Sequence, residues 1–214
     1  MFKLYTLSRS SASYRVRIAL NLKKLTYESI PKALAKGEHR TPEYLAVNPQ
    51  GLVPAIETDD GLVFSQSLAI IEYVNDLYPQ PPLLPDSEVD RAHVRSIALA
   101  IACDIHPLNN LRVLNYLRDR LGQDDACVNA WYRHWIVEGF TGLETELSRH
   151  STARRFCHAD ALSIADVCLV PQVFNARRFK VDLAPFPTIA AISAHLEAIP
   201  EFAAARPEVQ PDAV

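Results

Sequence analysis

The chain is poor in the residues that staple a fold from outside its core. Its 214 residues contain four cysteines, Cys103, Cys127, Cys157 and Cys168, and no two of them form a CxxC pair. No His or Cys cluster has zinc spacing, so neither a disulfide framework nor a metal is expected. Cys103 and Cys168 lie in apolar stretches and read as small core residues of a protein kept in a reducing compartment. Basic residues are not in excess: 22 Lys and Arg stand against 25 Asp and Glu, for a formal net charge of -3. Without a basic stripe, no nucleic-acid partner is expected. The apolar runs are far too short to cross a bilayer, so no membrane partner is expected either. No charged segment followed by an apolar core opens the chain, and the first strand pattern starts at Phe2. A cytoplasmic location is therefore expected. Internal repeats and low-complexity segments are lacking too.

What is present is an ordinary globular composition, 49% hydrophobic and 22% charged, enough for one large domain or two small ones. The first eighty residues alternate strand and helix. Phe2 to Leu7 reads as a strand, Ser13 to Leu22 as a helix, Tyr27 to Ile30 as a strand, and Thr41 to Ala46 as a short helix. Val53 to Glu57 and Leu62 to Phe64 read as strands joined at Asp59-Asp60-Gly61, a hairpin signal. Ser67 then opens a helix carrying Leu68, Ile70, Ile71, Val74 and Leu77. The order βαβ, α, ββα predicts a small α/β domain over residues 1–80. Prolines at 79, 81, 82 and 85 predict a stiff linker over 81–87. Beyond it, residues 88–214 carry only helical periodicity. Helices are expected over 90–121, 124–147, 163–178 and 187–199, with a tail after Arg206 on the surface. The fold class is thus α/β plus all-α.

Several motifs carry chemistry, each with a plainer reading beside it. Arg9-Ser10-Ser11-Ala12-Ser13 lies between the first strand and the first helix. Hydroxyls there sit beside unpaired N–H groups and the positive end of the helix dipole, a place that favours a thiolate or carboxylate. The plainer reading is a helix cap by Ser11 or Ser13. Val53-Pro54 opens a strand with a residue that cannot donate to the ladder. A cis bond there would turn the Val53 backbone outward to pair with an extended peptide ligand, the alternative being an edge-strand proline. Gln66-Ser67 opens the next helix and offers donors to a carboxylate, or a plain cap. Ser163-Ile164-Ala165-Asp166 reads as a structural capping box. Asp104, His106, Asn110 and Arg112 gather around Pro107, which should kink its helix and leave His106, Asn110 and Arg112 on one face. Arg9, Arg112 and Arg177 together suit a ligand with two acidic ends.

In this order, the residues Ser10-Ser11-Ala12-Ser13-Tyr14-Arg15-Val16-Arg17-Ile18-Ala19-Leu20, Asn48-Pro49-Gln50, Val53-Pro54, the run from Gln66 to Tyr73 and Leu169-Val170-Pro171-Gln172-Val173 resemble the glutathione transferase superfamily, in particular its zeta class. The resemblance runs over nearly the whole chain. It implies a thioredoxin-like glutathione-binding domain followed by an all-helical substrate domain. It implies glutathione as cofactor, a small dicarboxylate as substrate and a homodimer. Ser10, with Ser11 and Arg9, would serve the catalytic thiolate. Ser10, Gln50, Val53, Pro54, Gln66 and Ser67 would hold glutathione, with Asp104 and His106. Arg9, His106, Asn110, Arg112 and Arg177 would hold the substrate. The activity implied is glutathione-dependent cis-trans isomerisation of a maleyl diacid to its fumaryl isomer. The family includes maleylacetoacetate isomerase of tyrosine catabolism and maleylpyruvate isomerase of gentisate catabolism. A general conjugating or dehalogenating transferase and a non-catalytic binding module are the competing readings. One departure stands out: the family's Cys in the serine motif is Ala12 here, so no protein thiol acts at this turn.

Overall fold

The computed structural model describes residues 1–150 and 155–213, so Val214, which ends the tail, lies outside the described residues. The chain divides into two compact units, Met1–Leu83 with Ala198–Val214, and Leu84–Glu197.

The first unit is built on a four-stranded sheet in the order β2-β1-β3-β4. Its strands are β1 (Phe2–Thr6), β2 (Tyr27–Pro31), β3 (Ala55–Glu57) and β4 (Val63–Ser65). β1 and β2 run parallel, with Leu4 opposite Ser29. A parallel pair needs a crossover, and α1 (Ser11–Leu22) supplies it. β3 runs antiparallel to β1, with Ile56 opposite Leu4, and β4 antiparallel to β3. The turn expected at Asp59-Asp60-Gly61 joins those two strands. Gly61 has φ 76° and donates to the Thr58 carbonyl at 3.0 Å. Because β1 and β4 both oppose β3, they point the same way. The helices that follow them, α1 and α3 (Ser67–Leu77), therefore start at the same edge of the sheet. α2 (Pro42–Val47) lies between β2 and β3. Leu4, Val16, Ile18, Leu20, Ile56, Ile70 and Ile71 form the core.

The C-terminal boundary differs from the sequence expectation. The helical domain was expected to run to the end of the chain, but α8 (Pro187–Glu197) closes the second unit and Ala198–Val214 joins the first. Pro200 starts a separate short helix, α9 (Pro200–Ala204), which packs on α1. Asn21 donates to the Glu201 carbonyl at 3.0 Å, and Arg17 to that of Ala205 at 3.1 Å. The tail after Arg206 lies on the surface as expected, with Glu208, Val209, Pro211 and Ala213 exposed, and only Pro207 of its described residues is buried.

The second unit is helical. α4 (Glu88–Leu99) leads into a π-helical segment, Ala100–Ile105, then a 3-10 turn, Pro107–Asn109, then α5 (Leu111–Asp119). The single kinked helix expected over 90–121 is thus two helices with a widened turn and a break. Pro107 lacks the N–H to continue the ladder, and Asn110 leaves helical geometry at ψ 145°. α6 is Asp125–His150 and α7 is Ile164–Arg178. A Cβ on Gly139 of α6 would collide with the end of the Ile105 side chain, so glycine lets the π-helical segment lie directly on α6. Cys168 is buried as expected, whereas Cys103 is exposed. The widened turn carries Cys103 to the outside, while Ile101 and Ile105 face the core. At the start of α7 the Asp166 carboxylate accepts from Ser163 N–H at 2.8 Å, Ser163 Oγ at 2.9 Å and Cys157 N–H at 2.7 Å. The capping box is structural, as read.

Candidate active site

In the first unit the serine turn is a helix entrance built on Ser10. Ser10 is the N-cap of α1, with its Oγ accepting from Ser13 N–H at 3.2 Å and its own N–H donating to the Leu7 carbonyl at 3.0 Å. The cap is thus Ser10 rather than Ser11 or Ser13, which are both buried. An accepting Oγ keeps its proton for an anion. Arg9 is exposed beside it.

At the same sheet edge, α3 begins with Gln66 as N-cap, without a side-chain cap bond. Gln66 has φ 70° and ψ 116°, a backbone region that L-residues rarely occupy and that clusters at ligand sites. The expectation that Ser67 caps this helix is corrected: Ser67 is its first residue, buried, and its Oγ accepts from Arg15 Nη1 at 3.3 Å. Gln66 Nε2 donates to Gln50 Oε1 at 3.0 Å. Tyr44 Oη and Asn48 Nδ2 both donate to the Leu52 carbonyl, at 2.6 and 2.8 Å, fixing the loop before Val53. The Val53-Pro54 bond is cis, and the strand begins only at Ala55. Among the described residues neither the Val53 N–H nor its C=O has a hydrogen-bond partner. A main-chain donor and acceptor side by side, next to Gln50, Gln66 and Ser67, fit an extended peptide with a terminal carboxylate.

In the second unit a 3-10 turn interrupts the helical spacing on which the expected face of His106, Asn110 and Arg112 rests. His106 precedes that turn, and Asn110 follows it. Asn110 caps α5, its Oδ1 accepting from Arg112 N–H at 3.1 Å. Asp104 and Arg112 are exposed. α6 pins the turn from below: Trp131 Nε1 donates to the Leu108 carbonyl at 2.8 Å, and Asn109 Nδ2 to the Tyr132 carbonyl at 3.2 Å.

Arg177 has a partner of its own. Its Nη1 lies 2.5 Å from Glu197 Oε1, which also accepts from Ser193 Oγ at 2.6 Å. The neighbouring Arg178 has no carboxylate partner among the described residues. It lies over the Phe179 ring at 5.0 Å, and Phe179 stacks on Tyr132. Burial pushes the Tyr132 hydroxyl up to about 12, with the Arg178 charge opposing it. Of the adjacent arginines, Arg177 is thus ion-paired and Arg178 is stacked on an aromatic ring. Nothing in the sequence separates the two, since the choice depends on which side of α7 faces Glu197. A cavity of about 480 Å³ beside Arg133, Glu144, Lys180 and Phe186 contains none of these residues. Among the described residues no group of three metal-ligating side chains occurs, and no helix is long and apolar enough to cross a membrane.

A profile of the glutathione S-transferase N-terminal domain family matches residues 9–77. A probable maleylacetoacetate isomerase of Vibrio cholerae is 52% identical over 212 residues, covering 98% of this chain and 97% of that protein. A solved holo structure of maleylpyruvate isomerase, a bacterial zeta-class glutathione transferase, superposes with a TM-score of 0.96 at 45% identity, covering 99% of this chain and all of the other. A maleylacetoacetate isomerase from Methylobacterium extorquens AM1, solved with malonate and glutathione bound, matches with a TM-score of 0.96 at 40% identity and 99% coverage of each chain.

Proposed function

Because the chain belongs to the glutathione transferase superfamily, in the zeta class with the maleylacetoacetate and maleylpyruvate isomerases, we propose that it is a glutathione-dependent cis-trans isomerase of a maleyl diacid, with glutathione as cofactor and the fumaryl isomer as product. The observation that carries this reading is the pair of helix entrances at one sheet edge, joined by Arg15 and Ser67, with the open Val53 backbone beside them.

Bound glutathione supplies the thiolate nucleophile that this chain, with Ala12 in its serine motif, does not provide there itself. Val53 pairs with the tripeptide backbone. Gln66 and Ser67 bond its γ-glutamyl carboxylate, and Gln50 orients Gln66 through their 3.0 Å bond. Asp104 and His106 are further candidates for glutathione, as the family resemblance implies. Ser10 would donate a hydrogen bond from its hydroxyl to the thiolate, and the α1 entrance with Ser11 adds the helix dipole. Both lower the thiol pKa. Arg9 and Arg112 hold the carboxylates of the diacid and stabilise the enolate charge that develops when the conjugated double bond is attacked. His106 and Asn110 are further candidates for the substrate contacts. We assign the third carboxylate contact to Arg178, because Arg177 is neutralised by Glu197. Fixing both ends of the diacid confines rotation to the central bond.

Kinship also supports a homodimer in the cytoplasm, which a solution mass measurement checks for the oligomer. The test of function is isomerisation of maleylacetoacetate and maleylpyruvate, followed by loss of the cis-enol absorbance. Rapid, glutathione-dependent turnover of either acid is expected, and the better substrate names the pathway. Inactivity on both acids, with glutathione still bound, leaves a conjugating transferase or a non-catalytic binding module.

A further inference from the structure

The turn that carries Ser10 is held from behind by a buried arginine and by the C-terminal segment. Arg17 is 0% exposed. Its Nη2 donates to the Ser8 carbonyl at 2.9 Å, and its Nη1 to Leu7 O at 3.3 Å and Thr6 Oγ1 at 3.2 Å. Its Nε reaches the Ala205 carbonyl at 3.1 Å. One guanidinium thus joins the end of β1, the serine turn and the end of α9. Burial pulls its pKa down to about 10, with Asp212 acting to raise it, so it stays charged at neutral pH.

Asp212 grips the same turn from the tail. Its Oδ2 accepts from Ser8 N–H at 2.8 Å, and its backbone carbonyl accepts from Ser8 Oγ at 3.1 Å. Ser8 is therefore bonded at its N–H, its C=O and its hydroxyl, two residues before Ser10. A carboxylate acceptor on a backbone N–H is a strong, charge-assisted bond.

We propose that Asp212 and Arg17 are positioning residues, and that the segment from Ala205 to Asp212 latches the Ser8–Ser10 turn and so aims the Ser10 hydroxyl at the glutathione thiol. The proposal rests on the role assigned above to Ser10. A turn free to shift by a fraction of an ångström would still bind the tripeptide through Val53, Gln66 and Ser67, but would support its thiolate less well.

The test compares Asp212→Ala with Asp212→Asn, which keeps an acceptor for Ser8 N–H. Asp212→Ala is expected to lower kcat about tenfold, to raise the pKa of the bound thiol, and to leave KM for glutathione within about twofold. Asp212→Asn should restore most of both. Without glutathione, hydrogen exchange at the Ser8 amide should be faster in Asp212→Ala than in Asp212→Asn or the parent chain. Should Asp212→Ala fold poorly, the smaller change Ser8→Ala removes the second bond alone and is expected to move thiol pKa in the same direction. Unchanged thiol pKa and amide exchange in Asp212→Ala, or equal losses in the Asn and Ala variants, would overturn the latch. A parent chain that binds glutathione as a thiolate yet isomerises neither acid would instead sink the functional reading, and the amide exchange would still judge the latch.

Discussion

Arg15 donates from Nη1 to Ser67 Oγ across 3.3 Å, joining the start of α1 to the start of α3 within the buried interior of the first unit. A cation placed behind the serine polarises its hydroxyl toward an incoming anion. The two helix entrances then act as one anion-binding edge, which the parallel directions of β1 and β4 created.

Ser67→Ala removes the hydroxyl at that edge. A hydrogen bond to a charged group is worth about 1.5–3 kcal/mol, so glutathione affinity should fall by about tenfold or more. Calorimetric titration reads this directly. Affinity equal to that of the parent chain would take Ser67 out of the γ-glutamyl contact.

Ser10→Ala should act on chemistry rather than binding. Loss of one donor to a developing or resident anion typically lowers turnover about a hundredfold. The alkaline shift of the thiol titration is the second signature, because the donor favours the thiolate and its loss raises the thiol pKa toward about 8.5. The rate at low pH should therefore fall more than the rate at high pH. A uniform loss across pH would mean that Ser10 acts otherwise.

The two adjacent arginines give opposite expectations. Arg178→Ala should raise KM for the diacid about tenfold, since it removes one charge-assisted carboxylate contact. Arg177→Ala should leave KM unaltered. Its pair with Glu197 is partly exposed, where such bridges contribute about 0–1 kcal/mol, so Tm should hardly move. Steady-state kinetics on both variants decides, and a KM rise in Arg177→Ala alone would reverse the assignment.

Asp166→Ala leaves three donors, two of them main-chain N–H groups, without their buried acceptor. Unsatisfied groups of this kind cost about 1–3 kcal/mol each, and losses above 4 kcal/mol come from such networks. A drop of about 3 kcal/mol in urea unfolding is expected. A change below about 0.5 kcal/mol, the range of ordinary surface substitutions, would show that the box contributes nothing to α7.

Much of the architecture was legible because it is local. Alternating apolar residues, Asp60-Gly61 and the proline run fixed the strands, the hairpin and the break near Leu83. The serine turn and Gln66-Ser67 were legible as helix entrances for the same reason. Contacts of long range were not. Nothing local says that Asp212 returns to Ser8, 204 residues away. Arg15 and Arg17 sit in an apolar helix pattern, and only the fold shows that both are buried and bonded. Periodicity ran through residues 90–121 because Pro107 and Asn110 interrupt the backbone without interrupting the apolar spacing. The choice between Arg177 and Arg178 depended on Glu197, which lies on another helix.

The central claim is that glutathione is used and returned. The most direct measurement counts fumaryl product and free thiol together, with glutathione far below the maleyl diacid. Many product molecules per glutathione, with the thiol count unchanged at the end and no product without glutathione, is the predicted result. Loss of the maleyl diacid that stops at one equivalent per glutathione, with the thiol lost and no fumaryl product formed, would contradict the isomerase and establish a conjugating enzyme.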